Sequence, residues 1–238
     1  MKLHNLAGHL ARAKETATGR LLARVRWRYY VDQKDGRIVA GMPLAIRDRI
    51  GLGDETAIGS RRIEVGSGPY AQAGYLHVDV DPRAGHVEAI TPAWQLPFPD
   101  AWATEVLAIH SLEHIPPPKL LETLREWRRV LVPAGRVRIH VPNGPGLFKA
   151  FQDSPVEGKW AIMGSILGMY CAPDANCPED LTVRSDHQLI FDLPLLTWAL
   201  TAAGFRDVKD LTDAAEDRHI LAWRNRVRRY SLVVTAAR

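Results

Sequence analysis

The chain has 238 residues, of which 46% are hydrophobic and 24% charged, so it can build the core of one ordinary domain and is not disordered throughout. No stretch approaches the ~18 consecutive apolar residues of a membrane span, and the amino-terminal residues lack the apolar run of a secretory signal. The net charge of +4 divides into +6 for residues 1–30, −8 for residues 31–217 and +6 for residues 218–238, which disfavours a basic nucleic-acid-binding face on the middle of the chain.

Residues 1–60 are predicted to form an arm ahead of the main domain. Apolar residues recur at every third or fourth position over residues 3–24, which predicts an amphipathic helix with a basic opposite face. Alternation over residues 26–32 and an apolar pattern that resumes at Ile38 predict a hairpin. Residues 41–60 are interpreted as a connector, and the helix and hairpin together offer a surface for a homodimer contact.

Residues 61–238 are predicted to form the main domain, an α/β fold. Short apolar runs alternate with helical segments, which predicts a seven-stranded, mostly parallel, Rossmann-like sheet with crossover helices. The last strand has no room for a crossover helix before it, so we expect it to run antiparallel. Helices are predicted at residues 118–131 and 192–203. The predicted strands are at residues 62–65, 76–80, 86–89, 105–109, 136–141, 205–211 and 230–235.

A glycine-containing turn after the first strand of this domain is the most informative motif. Residues 63–68 read Ile-Glu-Val-Gly-Ser-Gly, in which an acid stands inside an apolar strand and the glycines let the backbone approach a ligand. The Glu64 carboxylate would repel a pyrophosphate, but it suits a ligand with an ammonium group. The next strand ends at Asp79-Val80-Asp81, where an acid can accept both ribose hydroxyls of a nucleoside. The predicted ligand is therefore a nucleoside that carries an amino acid.

These motifs resemble those of the class I S-adenosylmethionine-dependent methyltransferases, specifically the compact type 11 sort. The resemblance extends over about residues 61–145 and keeps the order and spacing of five segments. It implies a methyltransferase with S-adenosyl-L-methionine as its cofactor, acting on a small molecule, with oxygen of a sugar, a glycosylated metabolite or a phenolic compound as the expected acceptor. The five segments are residues 63–68, 76–81, 96–100, 109–115 and 127–136.

The resemblance also implies the residues that bind the cofactor. Glu64 is expected near the methionine ammonium, Asp79 at the ribose with Asp81 as second choice, and Trp94 at the adenine. Relatives usually carry an acid shortly before the Leu-Pro-Phe segment, but this chain has Pro92 and no acid there. The positions that match the family's cofactor contacts are Glu64, Gly66, Ser67, Gly68, Asp79, Val80, Ala93, Trp94 and His110.

Histidines are the expected proton acceptors, because a hydroxyl that receives a methyl group must lose its proton near neutral pH. His110 and His114 follow the fourth predicted strand, at the working edge of such sheets. His187 is the third candidate and lies in a loop, residues 172–188, that can close over a substrate. Asn143, after the fifth strand, is predicted to orient the acceptor. No metal site is expected, because the sequence shows no cluster of carboxylates near the acceptor.

Two alternative functions remain open from the sequence. The basic residues at the amino terminus are compatible with an RNA methyltransferase. However, enzymes that methylate base amines carry an Asn/Asp-Pro-Pro-aromatic segment where this chain reads Ile-His-Ser-Leu at residues 109–112. The departure from the family pattern at Pro92 is compatible with a partner subunit that binds the cofactor but does not catalyse methyl transfer.

Cys171 and Cys177 lie in the same late part of the chain and are spaced neither for a zinc site nor for a disulfide scaffold. We interpret them as free thiols of a reducing compartment. The protein is therefore predicted to be cytoplasmic.

Overall fold

The computed structural model describes residues 29–31, 38–40, 61–68, 72–81, 87–168, 187–213 and 230–238. The predicted helix at residues 3–24, the connector at residues 41–60 and both cysteines lie outside these residues. Part of the predicted hairpin lies within them. Strand β1 (Tyr29–Val31) pairs antiparallel with β2 (Ile38–Ala40), as a hairpin requires.

The main sheet has seven strands and combines parallel and antiparallel pairing. Its strands are β3 (Arg62–Val65), β4 (Leu76–Asp79), β5 (Ala89–Ile90), β6 (Ala103–Ile109), β7 (Leu131–Pro142), β8 (Arg206–Asp210) and β9 (Ser231–Ala237). The spatial order is β5-β4-β3-β6-β7-β9-β8. Strands β5, β4, β3, β6 and β7 pair parallel along this order, whereas β9 is antiparallel to both β7 and β8. The predicted mostly parallel sheet with an antiparallel last strand is confirmed.

The described helices pack beside this sheet. They are α1 (Leu120–Val130), α2 (Gly144–Asp153), α3 (Val156–Leu167) and α4 (Leu193–Ala202), with short 3₁₀ helices at Leu112–His114 and Pro117–Lys119. Helices α1 and α4 were predicted from the sequence, whereas α2 and α3 were not. Within the described part of the chain, no helix has both the length and the apolar character needed to cross a bilayer.

Two of the strands differ from the prediction by more than one or two residues at an end. Strand β7 begins at Leu131, directly after α1, because Leu131 already has extended backbone angles. Its pairing with β6 shifts register between Ala103 and Glu105, so the Pro-Ala-Gly stretch before Arg136 is accommodated inside the strand. The predicted strand at residues 86–89 is observed as β5, a pair of residues at Ala89–Ile90.

Helix α1 anchors the loop that follows β5. Trp127 is fully buried and donates its indole N–H to the carbonyl of Ala93 over 3.0 Å. Arg129 donates to the carbonyls of Leu96 (3.2 Å) and Phe98 (3.0 Å). Hydrogen bonds to neighbouring carboxylates raise the pKa of Arg129, so its positive charge is retained. The loop is therefore held against the helix by backbone contacts that a side-chain change within the loop does not remove.

The chemistry-bearing residues gather at one edge of the sheet. Because β3, β4, β6 and β7 are parallel, the loops after their carboxyl ends meet at this edge. The antiparallel β9 brings its amino-terminal residue, Ser231, to the same edge, opposite Pro142. Ligand sites of open α/β sheets lie in this position.

Candidate active site

The glycine turn after β3 is closed on one side and open on the other. Gly66 has φ +72°, and a Cβ added there would lie 2.3 Å from the Cβ of Ser111, so no side chain fits. Gly68 has φ +55°, but a Cβ added there would meet no atom within 4 Å. Backbone in the left-handed region favours glycine at both positions. The turn therefore packs tightly against the end of β6 and leaves space for a ligand near Gly68.

Glu64, a residue of β3, is buried, with 1% of its surface exposed. Its Oε2 accepts a hydrogen bond from the backbone N–H of Gln72 (2.7 Å) and lies 3.6 Å from Nε2 of His77. The His77 ring also contacts the carbonyl of Gln72 (2.8 Å) and the carboxylate of Glu88 (3.2 Å). Burial alone would lower the pKa of His77, but these acceptors and the charges of Glu88 and Glu64 raise it. The carboxylate of Glu64 is thus held by the backbone of Gln72 and lies beside a ring whose protonated form it favours.

Asp79, at the end of β4, is 9% exposed and holds the glycine turn. Its two carboxylate oxygens accept from the backbone N–H groups of Gly68 (2.8 Å) and Asp81 (2.8 Å). An ionised carboxylate offers about four acceptor positions, so two of them remain for a ligand hydroxyl. Val80, the next residue, is 68% exposed. Ser67 is fully buried, and its Oγ has no hydrogen-bond partner among the described residues.

Ala93 and Trp94, the predicted adenine contacts, lie at the loop that α1 anchors. Both pack partly buried against the core, and the Trp94 ring lies 5.6 Å from the ammonium of Lys119. Trp94 lines an open groove of about 800 Å³ together with Pro117, Leu121 and Trp198, among others. Adenine has flat aromatic faces, and an aromatic side chain such as Trp94 can stack on them.

The position before this loop, where relatives carry an acid, is occupied by Thr91 and Pro92. The hydroxyl of Thr91 donates to the carbonyl of Gln95 over 2.7 Å. That hydrogen bond shapes the loop itself. The residues that replace the family's acid therefore form a local turn, and the Thr91 hydroxyl is used in a hydrogen bond within that turn.

His110 directly follows β6 and has an unusual backbone, with φ +50°. Its Nδ1 lies 3.1 Å from Oε1 of Glu113, and its Nε2 lies 2.9 Å from Oγ of Ser231. A carboxylate can only accept, so Nδ1 donates to Glu113 and Nε2 accepts from the hydroxyl of Ser231. Left-handed backbone costs a residue with a side chain about 1 kcal/mol or more. The surrounding contacts hold the ring in spite of this cost.

Glu113 is the centre of a cluster that the sequence did not predict. It is fully buried, and its Oε1 lies 4.0 Å from Nε2 of His114 and 3.8 Å from Nε2 of His187, in addition to its contact with His110. Burial alone would raise the pKa of Glu113, but the hydrogen bond from His110 and the charges of the neighbouring histidines lower it. We call Glu113, His110, His114 and His187 the Glu113 cluster. All three predicted histidines therefore meet at one ionised carboxylate.

His187 reaches the Glu113 cluster from a distant part of the chain. Its Nδ1 donates to the carbonyl of Ile166 (3.0 Å), and burial lowers its pKa, so the neutral ring is favoured. The backbone N–H groups of Gln188 and Leu189 donate to the carbonyl of Glu113. These hydrogen bonds hold residues 187–189 against the 3₁₀ helix that follows β6. The rest of the predicted loop, at residues 172–186, lies outside the described residues.

Asn143 has a local structural role that the sequence did not predict. It is the N-cap of α2, and its Oδ1 accepts from the backbone N–H of Gly146 over 3.3 Å. The predicted contact with a methyl acceptor stays a prediction.

The expectation of no metal site was based on a search for carboxylates. The structure instead brings one carboxylate together with two imidazoles, because Glu113, His114 and His187 place ligand atoms within 4.8 Å of one another. Mixed clusters of this type suit transition metals better than groups of carboxylates do. The adjacent pair Glu113-His114 was the available sign in the sequence.

Comparisons with known proteins agree with this geometry. Residues 64–139 match a family described as "Methyltransferase domain". No match is found among curated proteins. Among solved structures, the chain is similar to a SAM-dependent methyltransferase from Methanosarcina mazei (TM-score 0.50, 15% identity, 74% of this chain and 91% of that chain). It is also similar to one from Archaeoglobus fulgidus (TM-score 0.46, 17% identity, 82% and 91% of the two chains). The first similarity supports the fold.

Proposed function

We propose that this chain, whose residues 64–139 match the methyltransferase-domain family, is an S-adenosylmethionine-dependent methyltransferase that methylates a hydroxyl oxygen of a small molecule. The expected acceptors are a sugar, a glycosylated metabolite or a phenolic natural product. The observation that carries this proposal is the Glu113 cluster, which gathers three imidazoles next to the glycine turn.

The residues around the glycine turn fit an amino-acid-bearing nucleoside. Gly68 borders open space, and Ser67 Oγ is a buried hydroxyl without a partner among the described residues. The buried carboxylate of Glu64 would pair with the ammonium group, and the remaining acceptor positions of Asp79 would take the ribose hydroxyls. Trp94 and the exposed Val80 would flank the adenine. When bound, the cofactor supplies an electrophilic methyl group on a sulfonium that is a good leaving group.

The acceptor needs alignment and the removal of one proton. The acceptor oxygen would attack the methyl group that the bound cofactor supplies and displace its sulfur as a thioether, and the hydroxyl proton would pass to a base of the Glu113 cluster. His110 precedes Ser111, whose hydroxyl donates to the carbonyl of Val65 (2.8 Å), so the Glu113 cluster adjoins the glycine turn directly. Proton transfer by a positioned side chain contributes about 10²–10⁴-fold to rate. The side chain of His114, 31% exposed, is the most accessible of the three rings.

Calorimetry with S-adenosylmethionine and S-adenosylhomocysteine tests the cofactor site. Glu64→Gln and Asp79→Asn each remove a charged acceptor and should weaken binding by about 10-fold or more. Asp153→Asn, which alters an exposed acid paired with Lys149, is the matched control and should bind normally. Unchanged affinity in both Glu64→Gln and Asp79→Asn would overturn the proposed cofactor site.

A methyl-transfer assay with a panel of acceptors tests the reaction. We expect turnover on hydroxylated acceptors and none on their amine counterparts. His114→Gln should lower kcat by about 100-fold and leave cofactor affinity within about twofold, because it changes the acceptor side of the site. Transfer to amines alone, or a His114→Gln variant with full kcat, would contradict methylation of oxygen at the Glu113 cluster.

A further inference from the structure

Three side chains of the Glu113 cluster have the spacing of a metal site. Nε2 of His114 and Nε2 of His187 lie 4.0 and 3.8 Å from Oε1 of Glu113. These distances are too long for hydrogen bonds. Ligand atoms of a tetrahedral zinc ion, with bonds of about 2.1 Å, lie about 3.4 Å apart. Small side-chain movements therefore convert the observed arrangement into a coordination sphere.

The orientation of His187 agrees with a ligand role. Its Nδ1–H donates to the carbonyl of Ile166 over 3.0 Å, so the lone pair of the neutral ring is on Nε2, which faces Glu113. Metal-binding histidines commonly donate their other ring N–H to a backbone carbonyl in this way. Without a cation, a nitrogen lone pair faces a carboxylate oxygen, and the two repel each other.

The carboxylate of Glu113 provides an independent indication. The residue is fully buried, and its Oε2 has no hydrogen-bond partner among the described residues. A buried carboxylate with an unpaired oxygen is costly unless a cation compensates it. His110 donates a single hydrogen bond to Oε1, so the carboxylate keeps acceptor positions on both oxygens for a second cation.

We propose that Glu113, His114 and His187 bind a divalent transition metal ion, with Zn²⁺ as the best match to one carboxylate and two imidazoles. Three protein ligands leave at least one coordination position for water or a substrate oxygen. If the acceptor hydroxyl takes that position, the metal would make it more acidic, and the metal-bound His114 would serve as a ligand in place of a base. This role in the reaction rests on the proposed function, whereas metal binding does not.

Titration of the chelator-treated full chain with Co²⁺ tests the site, because visible absorption of Co²⁺ reports its ligands directly. We expect about one equivalent to bind, and competition by Zn²⁺. His187→Ala and His114→Ala should each weaken binding by more than about 100-fold, since even loss of a supporting residue costs 10–100-fold. His77→Gln removes an imidazole elsewhere and should bind Co²⁺ as the unchanged protein does. Circular dichroism and the rise in Tm on metal addition show that each variant is folded.

Each outcome bears on the proposal. Binding of about one equivalent that both His187→Ala and His114→Ala abolish supports it. The absence of binding, or binding that neither variant weakens, overturns it. Protein that binds no metal but still methylates hydroxylated acceptors overturns the metal site alone. Protein that binds metal through these residues but methylates no hydroxyl overturns the proposed function and leaves the metal site standing.

Discussion

His77 lies between two carboxylates on neighbouring segments, Glu64 and Glu88, and its protonation stabilises the fold. Its pKa is raised above the ordinary value of 6.5. This contribution is fully present below about pH 6.5, where the unfolded chain is protonated as well, and is lost as the pH rises through the folded pKa.

We expect urea unfolding to show this dependence. The difference in free energy of unfolding between the unchanged protein and His77→Gln should shrink as the pH rises from about 6 towards 9. A difference that stays constant with pH would show that His77 does not titrate as inferred.

At the scale of single residues, local motifs were predictable and distant contacts were not. Glu64 stands inside an apolar strand directly before glycines, and this local pattern is enough to indicate a binding turn. Glu113 gains its surroundings only when His187, far away in the sequence, folds against it. Sequence spacing carries no information on that contact, so the cluster around Glu113 was not predicted.

At the scale of elements, the start of α2 depends on Asn143. The helix opens with Gly144, Pro145 and Gly146, so propensity contributes little and the cap matters more. Asn143→Ala should lower the free energy of unfolding by about 1 kcal/mol, whereas Asn143→Ser should be nearly neutral because serine caps as well as asparagine. Chemical denaturation of the two variants measures this difference.

The same pair of variants separates capping from substrate binding. If Asn143 also orients the acceptor, Asn143→Ser should raise KM while stability stays unchanged. Equal destabilisation by serine and alanine would mean that the cap is not the source of the effect.

The pattern of apolar residues explains which elements were predictable. Strands β3 and β4 are buried almost throughout and carry an apolar residue at every second position, a pattern that is typical of a strand. Helix α2 begins with poor helix formers, and α3 exposes apolar side chains such as Val156 and Trp160. Helix α3 lacks a sharply divided polar and apolar face, and neither helix was predicted from the sequence.

At the scale of the whole molecule, β9 connects the end of the chain to the site. It lies between β7 and β8, is largely buried, and pairs with β7 from Ser231 to Ala237. Deletion of residues 231–238 removes an inner strand, so we expect loss of cooperative unfolding and of near-UV circular dichroism. A truncated chain that still unfolds cooperatively would contradict this.

Ser231→Ala is the control for the deletion, because it keeps β9 and removes only the hydroxyl that contacts His110. This variant should unfold cooperatively, with a change confined to kcat. Together, the two changes distinguish the strand's part in folding from its part in positioning the ring.

The left-handed backbone at His110 is strained, but the ring that it carries is hydrogen-bonded to a buried acid. Glycine would adopt φ +50° without steric strain, yet it would leave the Glu113 carboxylate without the hydrogen bond that the ring donates. A population selected only for heat resistance should therefore keep a hydrogen-bond donor at this position, whereas one selected for turnover should keep the imidazole itself. Parallel selections of the two kinds would reveal, from the identity of one residue, whether the ring is retained for folding or for the reaction.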